Sequence, residues 1–430
     1  MTTAAPAPQR MSPRKRQYAG GHSLGITVLA LGPFALGYFM SYLFRAVNAI
    51  VEGELVRDIG LSPSELGLMT AAYLAAFALF QLPLGILLDR YGPRRVQAVL
   101  LSVAAIGAVV FAFGQSALML TVGRALIGLG VAGGLMGGFK SVVIWVSEPR
   151  RALANSFVMS AGAIGLLVAT RPLQEATDMF GWRQVFLLLA GVTFLVALVI
   201  FFIVPEKQSA GSSDTLERQV GDLARIFRDP AIISLAPLLG TTAGVHIAIQ
   251  TLWAAPYFRD VMGAGREEVA NLLFYMAASF FFGILFTGAA ADWLARRGVS
   301  LLTVMLGFMV IYLVAQIGIV LQIKEYSLIF WLAFGMTGQV AILAYPWLAT
   351  YFGSSLSGRA HTAVNLLIFG CAFIAQYVMG AIIELYPQPA PGQYDPASYE
   401  TAFGAFLALQ LAMLAWFIVT AQYIRKHRRH

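Results

Sequence analysis

Twelve long apolar runs, separated by short polar breaks, make up most of the chain. They cover roughly residues 25–51, 65–88, 96–114, 117–146, 152–172, 183–204, 231–257, 268–291, 299–322, 326–352, 360–385 and 401–424. A helix needs about 20 apolar residues to cross the hydrocarbon core of a bilayer, and each run is near that length. Backbone groups in lipid must be bonded within their own segment, so helix is the predicted form of every run. The predicted class is an all-α membrane protein with twelve transmembrane helices. The polar remainder sets the boundaries: a tail at 1–24, a six-helix half at 25–204, a linker at 205–230, a second six-helix half at 231–424 and a basic tail at 425–430. Within the linker, Leu216 to Phe227 is partly amphipathic. Residues 386–399 form the other long loop.

The break between the second and third runs reads Gly85-Ile86-Leu87-Leu88-Asp89-Arg90-Tyr91-Gly92-Pro93-Arg94-Arg95. It predicts a charged seven-residue turn, with Asp89 at a helix end pairing with nearby arginines. Gly85 and Gly92 allow the turn and close packing. A similar pattern returns at Gly288-Ala289-Ala290-Ala291-Asp292-Trp293-Leu294-Ala295-Arg296-Arg297-Gly298. The offset is 203 for both anchors, since 288 minus 85 and 292 minus 89 agree. A repeat of nearly half the chain length is what two parallel membrane halves produce. The first stretch, Gly-x-x-x-Asp-Arg-x-Gly-x-Arg-Arg, resembles the loop signature between spans two and three of the major facilitator superfamily. The resemblance implies two pseudo-symmetric six-helix halves that transport by alternating access. It also gives Gly85, Asp89, Arg90, Gly92 and Arg94, with Asp292 and Arg296 in the echo, a gating or structural role.

Composition agrees with the apolar pattern: 59% of residues are hydrophobic and 12% charged, too little polar surface for a soluble chain of this length. The net charge of +8 and pI near 9.6 raise the question of nucleic acid. The distribution of the charge answers it. Of 29 Lys and Arg residues, twenty fall in segments that an even span count puts on the cytoplasmic side, and five in those it puts outside. This asymmetry places both termini in the cytoplasm and the chain in the cytoplasmic (inner) membrane, with the bilayer and a small molecule as partners and no nucleic acid. The lone Cys371 gives no intrachain disulfide, and no cofactor or metal set is evident. Residues 1–24 lack a separate apolar stretch of the secretory-signal kind. A monomer is expected.

The four remaining basic residues, Arg45, Arg124, Lys140 and Arg171, lie within apolar runs. Each costs about 2.5–3.5 kcal/mol at a helix centre on insertion scales, so each needs a cavity or a partner. Arg45 shares a helical face with Tyr38, Tyr42 (or Ser41) and Asn48, and a guanidinium so flanked suits bidentate binding of a carboxylate or phosphate. Arg45 also resembles the first-span arginine of the organic-anion and organophosphate branches of the superfamily. Those phosphate carriers place a lysine where this chain has Gln81, and a second arginine in span seven that is missing here, so a monovalent carboxylate fits better. Arg124, in Gly123-Arg124-Ala125-Leu126-Ile127-Gly128-Leu129-Gly130, resembles the family's span-four motif, which implies coupling or helix packing. For Lys140, snorkelling and lining the inner vestibule both stand. Arg171 reads as an interface residue.

Gly130, Gly134 and Gly138 mark a helix face that another helix can approach closely. His246 heads a face with Gln250 and Trp253 and is a candidate coupling group, with simple packing as the plainer reading. Gln339, Tyr345, Asn365 and Gln376 complete an uncharged polar wall from the second half. No Asp or Glu lies in the middle third of any run, and the drug-antiporter signature is absent from Ala169-Thr170-Arg171-Pro172-Leu173-Gln174. The pattern points to a secondary transporter of a small organic anion, by proton symport or exchange. Export of drug-like or siderophore-like compounds and a non-transporting solute sensor are the competing readings. An enzyme is not expected, because no nucleophile–base pair, metal cluster or phosphate-cradling loop appears.

Overall fold

The computed structural model describes residues 24–147, 150–205, 216–390 and 392–427. The expected N-terminal tail, most of the linker and the end of the basic tail lie outside the described residues. The first apolar run folds as helices α1 (Leu24–Ala46) and α2 (Asn48–Ile59), which meet at a bend of 46° rather than forming one straight span. Helix α2 stops at Gly60, whose φ of 77° is the left-handed conformation that ends helices.

Helix α3 (Pro63–Ala112) opens with a reciprocal cap. The Glu65 N–H donates to the Ser62 hydroxyl, and the Ser62 N–H donates to the Glu65 carboxylate. It is 50 residues long. At ~1.5 Å per residue that is roughly 75 Å, more than twice the ~30 Å hydrocarbon core. The break falls at Gly92, which has φ 78° and ψ 158° while the residues around it remain helical. The expected seven-residue turn is therefore a kink at one residue. Pro93 holds Gly92 extended in ψ, and the positive φ needs glycine. Gly353 (φ 71°, ψ 173°) divides helix α15 (Ala344–Glu384) in the same way.

Between these lie α4 (Ala117–Val131) and α5 (Gly134–Trp145), and then α6 (Arg151–Val168) and α7 (Arg171–Phe180), bent by 48° at Ala169–Thr170. Helix α8 is Trp182–Ile203, and the amphipathic α9 is Leu216–Phe227. Helix α10 (Pro230–Ala248) passes through a π-helical turn, Ile249–Trp253, into α11 (Ala254–Asp260). The set is completed by α12 (Arg266–Ala295), α13 (Leu301–Val320), α14 (Ser327–Thr337) and α16 (Pro396–His427). Among the described residues, nine helices are long and apolar enough to cross a membrane, or eleven when each bent pair counts as one span. Leu188, Leu195 and Phe202 recur every seventh residue on α8 and are 59%, 60% and 74% exposed. Such a stripe suits lipid, not water.

Glycine sets the close contacts, though not as one face against one helix. A Cβ at Gly123 would lie 2.8 Å from the Phe111 nitrogen, and one at Gly128 would overlap the Tyr73 backbone. Gly130 meets the Ala104 backbone, Gly134 meets Tyr38, and Gly138 meets the Val158 side chain. The glycines expected to serve one neighbour thus serve α3, α1 and α6 in turn, because the helix breaks between Val131 and Gly134.

Candidate functional site

Arg45 lies in the last turn of α1 and is 9% exposed. Its guanidinium carbon sits 4.5 Å from the Tyr42 ring centroid and 5.3 Å from both Phe77 and Phe369. These are cation–π distances. Phe77 belongs to α3 and Phe369 to α15, so rings from both halves of the sequence converge on one charge. The two phenyl centroids are 4.6 Å apart with planes tilted by 44°. Tyr38 stands edge-on to Tyr42 at 5.2 Å, and Gly162 on α6 makes room for both rings. The Arg45 Nε–H has no hydrogen-bond partner. A cation this deeply buried with a free donor suits an anionic ligand.

Asn48, expected on the same face, lies beyond the bend, where its amide donates to the Thr70 hydroxyl at 2.8 Å. It braces α2 against α3. Arg124 is fully buried and donates to the Phe44 carbonyl at 2.8 Å, with its guanidinium 4.8 Å from the Tyr73 ring. The Tyr73 hydroxyl in turn donates to the Ser41 carbonyl at 2.8 Å. Arg124 and Tyr73 therefore hold the backbone on both sides of Tyr42. Gln81 donates to the Ala132 carbonyl at 3.1 Å, at the break between α4 and α5.

The second half of the sequence adds polar side chains of its own. Tyr345 donates to the Asn365 side-chain oxygen. His361 was not singled out by the sequence; its ring lies 4.9 Å from that of Tyr345 and its Nε2 is 3.1 Å from the Tyr345 carbonyl. Gln250 lies in the π-helical turn and lines a narrow cleft with Ala46, Ala49 and Thr170. Trp253 is fully buried, and its indole donates to the Gln376 carbonyl at 3.2 Å. Gln339 is half-buried in the break after α14.

His246 is placed differently. Its ring meets Phe280, Tyr312 and Phe334 at centroid distances of 5.8, 6.0 and 4.7 Å, and any side chain at Gly338 would overlap it. These contacts all come from the second half of the sequence, and the ring lies beside Gln250 on its own helix.

The loop signature pairs with an unexpected partner: Lys140 donates to the Asp89 carboxylate. The pair ties Lys140 to the loop signature, a contact outside both the snorkelling and the vestibule readings. Arg94 donates to the Phe201 carbonyl at 2.7 Å. Arg90 stands 5.3 Å from the Tyr91 ring. Asp292 and Arg296 are exposed at the end of α12.

The opposite end carries charges that link residues from the two halves of the sequence. Arg259 donates to Glu52 at 2.5 Å and to Asp260 at 2.8 Å, and Asp260 accepts from the Tyr399 hydroxyl at 2.6 Å. Arg266 pairs with Glu54 and, at 2.8 Å, with Asp178. Arg171 reaches Glu175, Glu267 and Asn271, so it crosses between halves rather than sitting free at an interface. Gly67 and Gly380 let the start of α3 and the end of α15 meet backbone to backbone. The chain is closed here. Sequence reading counted these acids and arginines as loop charges, since nothing in their spacing pairs positions about 200 apart.

Several known proteins resemble this chain. The probable sulfoacetate transporter SauU of Cupriavidus necator is 26% identical over 259 residues, covering 56% of this chain and 59% of its own. The D-galactonate transporter of Escherichia coli is 24% identical, over 60% of this chain and 66% of its own. The niacin transporter NiaP of Acinetobacter baylyi is 26% identical over 86% of this chain and 80% of its own. The first two matches span about three-fifths to two-thirds of those relatives' length. Among solved structures, a bacterial homologue of the human lysosomal transporter Spinster superposes with a TM-score of 0.69 at 17% identity, over 97% of this chain and 98% of the other. The profile described as Major Facilitator Superfamily matches residues 34–378, so this multi-pass membrane protein belongs to that superfamily, a family of transporters rather than enzymes.

Proposed function

We propose that the chain is a secondary active transporter that moves a small organic monoanion, a carboxylate, by alternating access. The observation that carries the reading is Arg45: a nine-tenths buried guanidinium with a free Nε–H, ringed by Tyr42, Phe77 and Phe369 from both halves. A site at such a seam changes accessibility when the halves rock. Three transporter relatives are named for carboxylate solutes, which supports a carboxylate; galactonate and niacin carry one negative charge, and sulfoacetate carries a second on its sulfonate. Lys140 is engaged by Asp89, whereas Arg124 donates to the Phe44 carbonyl through Nη1 and keeps Nε and Nη2 buried without a partner.

The helix broken at Gly92 counts as two spans in this reading, which raises eleven to twelve. Six belong to each half, the termini are cytoplasmic, the membrane is the cytoplasmic one and the unit is a monomer. Proton symport and anion exchange both suit a chain without mid-span acids. The packing of His246 favours a structural role for that ring over a coupling role.

The test is uptake of a labelled carboxylate by purified protein in liposomes. Wild type accumulates it, and Arg45→Gln, folded by gel filtration, does not. Equal uptake by Arg45→Gln refutes the anion site. Binding without any uptake favours the sensor reading.

A further inference from the structure

The walls around Arg45 specify more than a negative charge. The faces of three rings, Tyr42, Phe77 and Phe369, lie within 4.5 to 5.3 Å of the guanidinium carbon. The Tyr73 hydroxyl is committed to the Ser41 carbonyl and the Tyr345 hydroxyl to Asn365. A polyhydroxylated acid held here would bury hydroxyls against phenyl faces with few partners, and each buried hydroxyl left unpaired weakens binding. Phe77 and Phe369 pack against each other across the seam with their planes tilted by 44°, each centroid 5.3 Å from the guanidinium carbon. A flat ring stacks at roughly 3.5–4 Å on each face. Moving these two phenyls from 4.6 Å to about 7 Å apart therefore admits one aromatic ring, and no thicker saturated body.

We infer that the solute is a planar aromatic monocarboxylate, its carboxylate on Arg45 and its ring between Phe77 and Phe369. This rests on the carboxylate reading above and narrows it. The aromatic pair then works as a seal. With no solute the phenyls close on each other, and with solute its ring replaces that contact, so the halves stay joined through the ligand.

Isothermal titration of the purified full chain tests this with benzoate, nicotinate, 4-hydroxybenzoate, cyclohexanecarboxylate, D-galactonate and the neutral benzamide. At least one aromatic acid is expected to bind tenfold or more tighter than cyclohexanecarboxylate and D-galactonate, with benzamide silent and Arg45→Gln abolishing binding. Phe369→Leu is expected to weaken the aromatic acid at least tenfold, and Phe77→Leu provides the same test if Phe369→Leu does not fold. D-galactonate or cyclohexanecarboxylate binding as tightly as every aromatic acid, still dependent on Arg45, overturns the aromatic class and leaves the carboxylate reading standing. No binding by any acid, or equal binding of benzamide, overturns both.

Discussion

Arg259 donates to Glu52 at 2.5 Å across 207 positions of sequence. The Glu52 side chain is 5% exposed and that of Arg259 27%, so the pair is only partly shielded from water. Removing one partner of a buried pair costs about 3–5 kcal/mol, and partial exposure reduces this to about 1–2 kcal/mol. Glu52→Gln therefore shifts the closed-to-open balance at this end roughly tenfold. A cysteine placed at Ala49, which lines the nearby cleft, in a Cys371→Ser background, is expected to react with maleimide about ten times faster in Glu52→Gln. An unchanged rate would show that the ion pair does not hold the closure.

The backbone contact at the same end has no flexible side chain to absorb an intrusion. A Cβ at Gly380 would overlap the Pro63 carbonyl and lie 3.1 Å from Trp253. Gly380→Val is expected to leave the protein folded but hold this end open, with transport reduced more than tenfold and Ala49→Cys labelling raised. Gly380→Ala gives a smaller effect of the same sign. Wild-type transport in Gly380→Val would mean that full closure is not required.

Arg124 acts one residue away from Arg45, through the Phe44 carbonyl. Arg124→Gln leaves that buried acceptor poorly served, at a cost of about 1–3 kcal/mol. The expected result is a melting temperature lowered by several degrees and a raised KM for the solute, with partial rescue by Arg124→Lys. A variant with normal KM and lowered stability would confine Arg124 to packing.

The ring contacts of His246 come from Phe280, Tyr312 and Phe334 and favour packing over proton transfer. Its replacement by Leu removes three ring contacts, worth about 0.5–1.5 kcal/mol each beyond their area. His246→Leu is expected to lower the melting temperature while leaving the pH profile of uptake in place. A lost or displaced profile would restore His246 as a coupling group.

The helical class and the place of the loop signature were readable because a bilayer imposes one length and one backbone form on every span. The burial of Arg45 was readable because a charge in an apolar run has few structural excuses. Its ring partners were not. Phe77 and Phe369 are apolar residues in apolar runs, and nothing in their own neighbourhoods separates a phenyl facing a cation from one facing lipid. The bend after Ala46 was also invisible: Val47 and Asn48 carry no proline or glycine, yet the bend sends Asn48 to Thr70 instead of Arg45. The ion pairs at the Glu52 end needed tertiary proximity that no local pattern encodes.

The kink at Gly92 joins two membrane-length arms through one residue. A long loop would act as a slack tether, letting either arm slide along the membrane normal without disturbing the other. A single pivot removes that slack. The arms behave as a crank, in which axial travel of one becomes swing of the other. The Asp89–Lys140 pair sits three residues from the pivot and bears on that swing from a neighbouring helix.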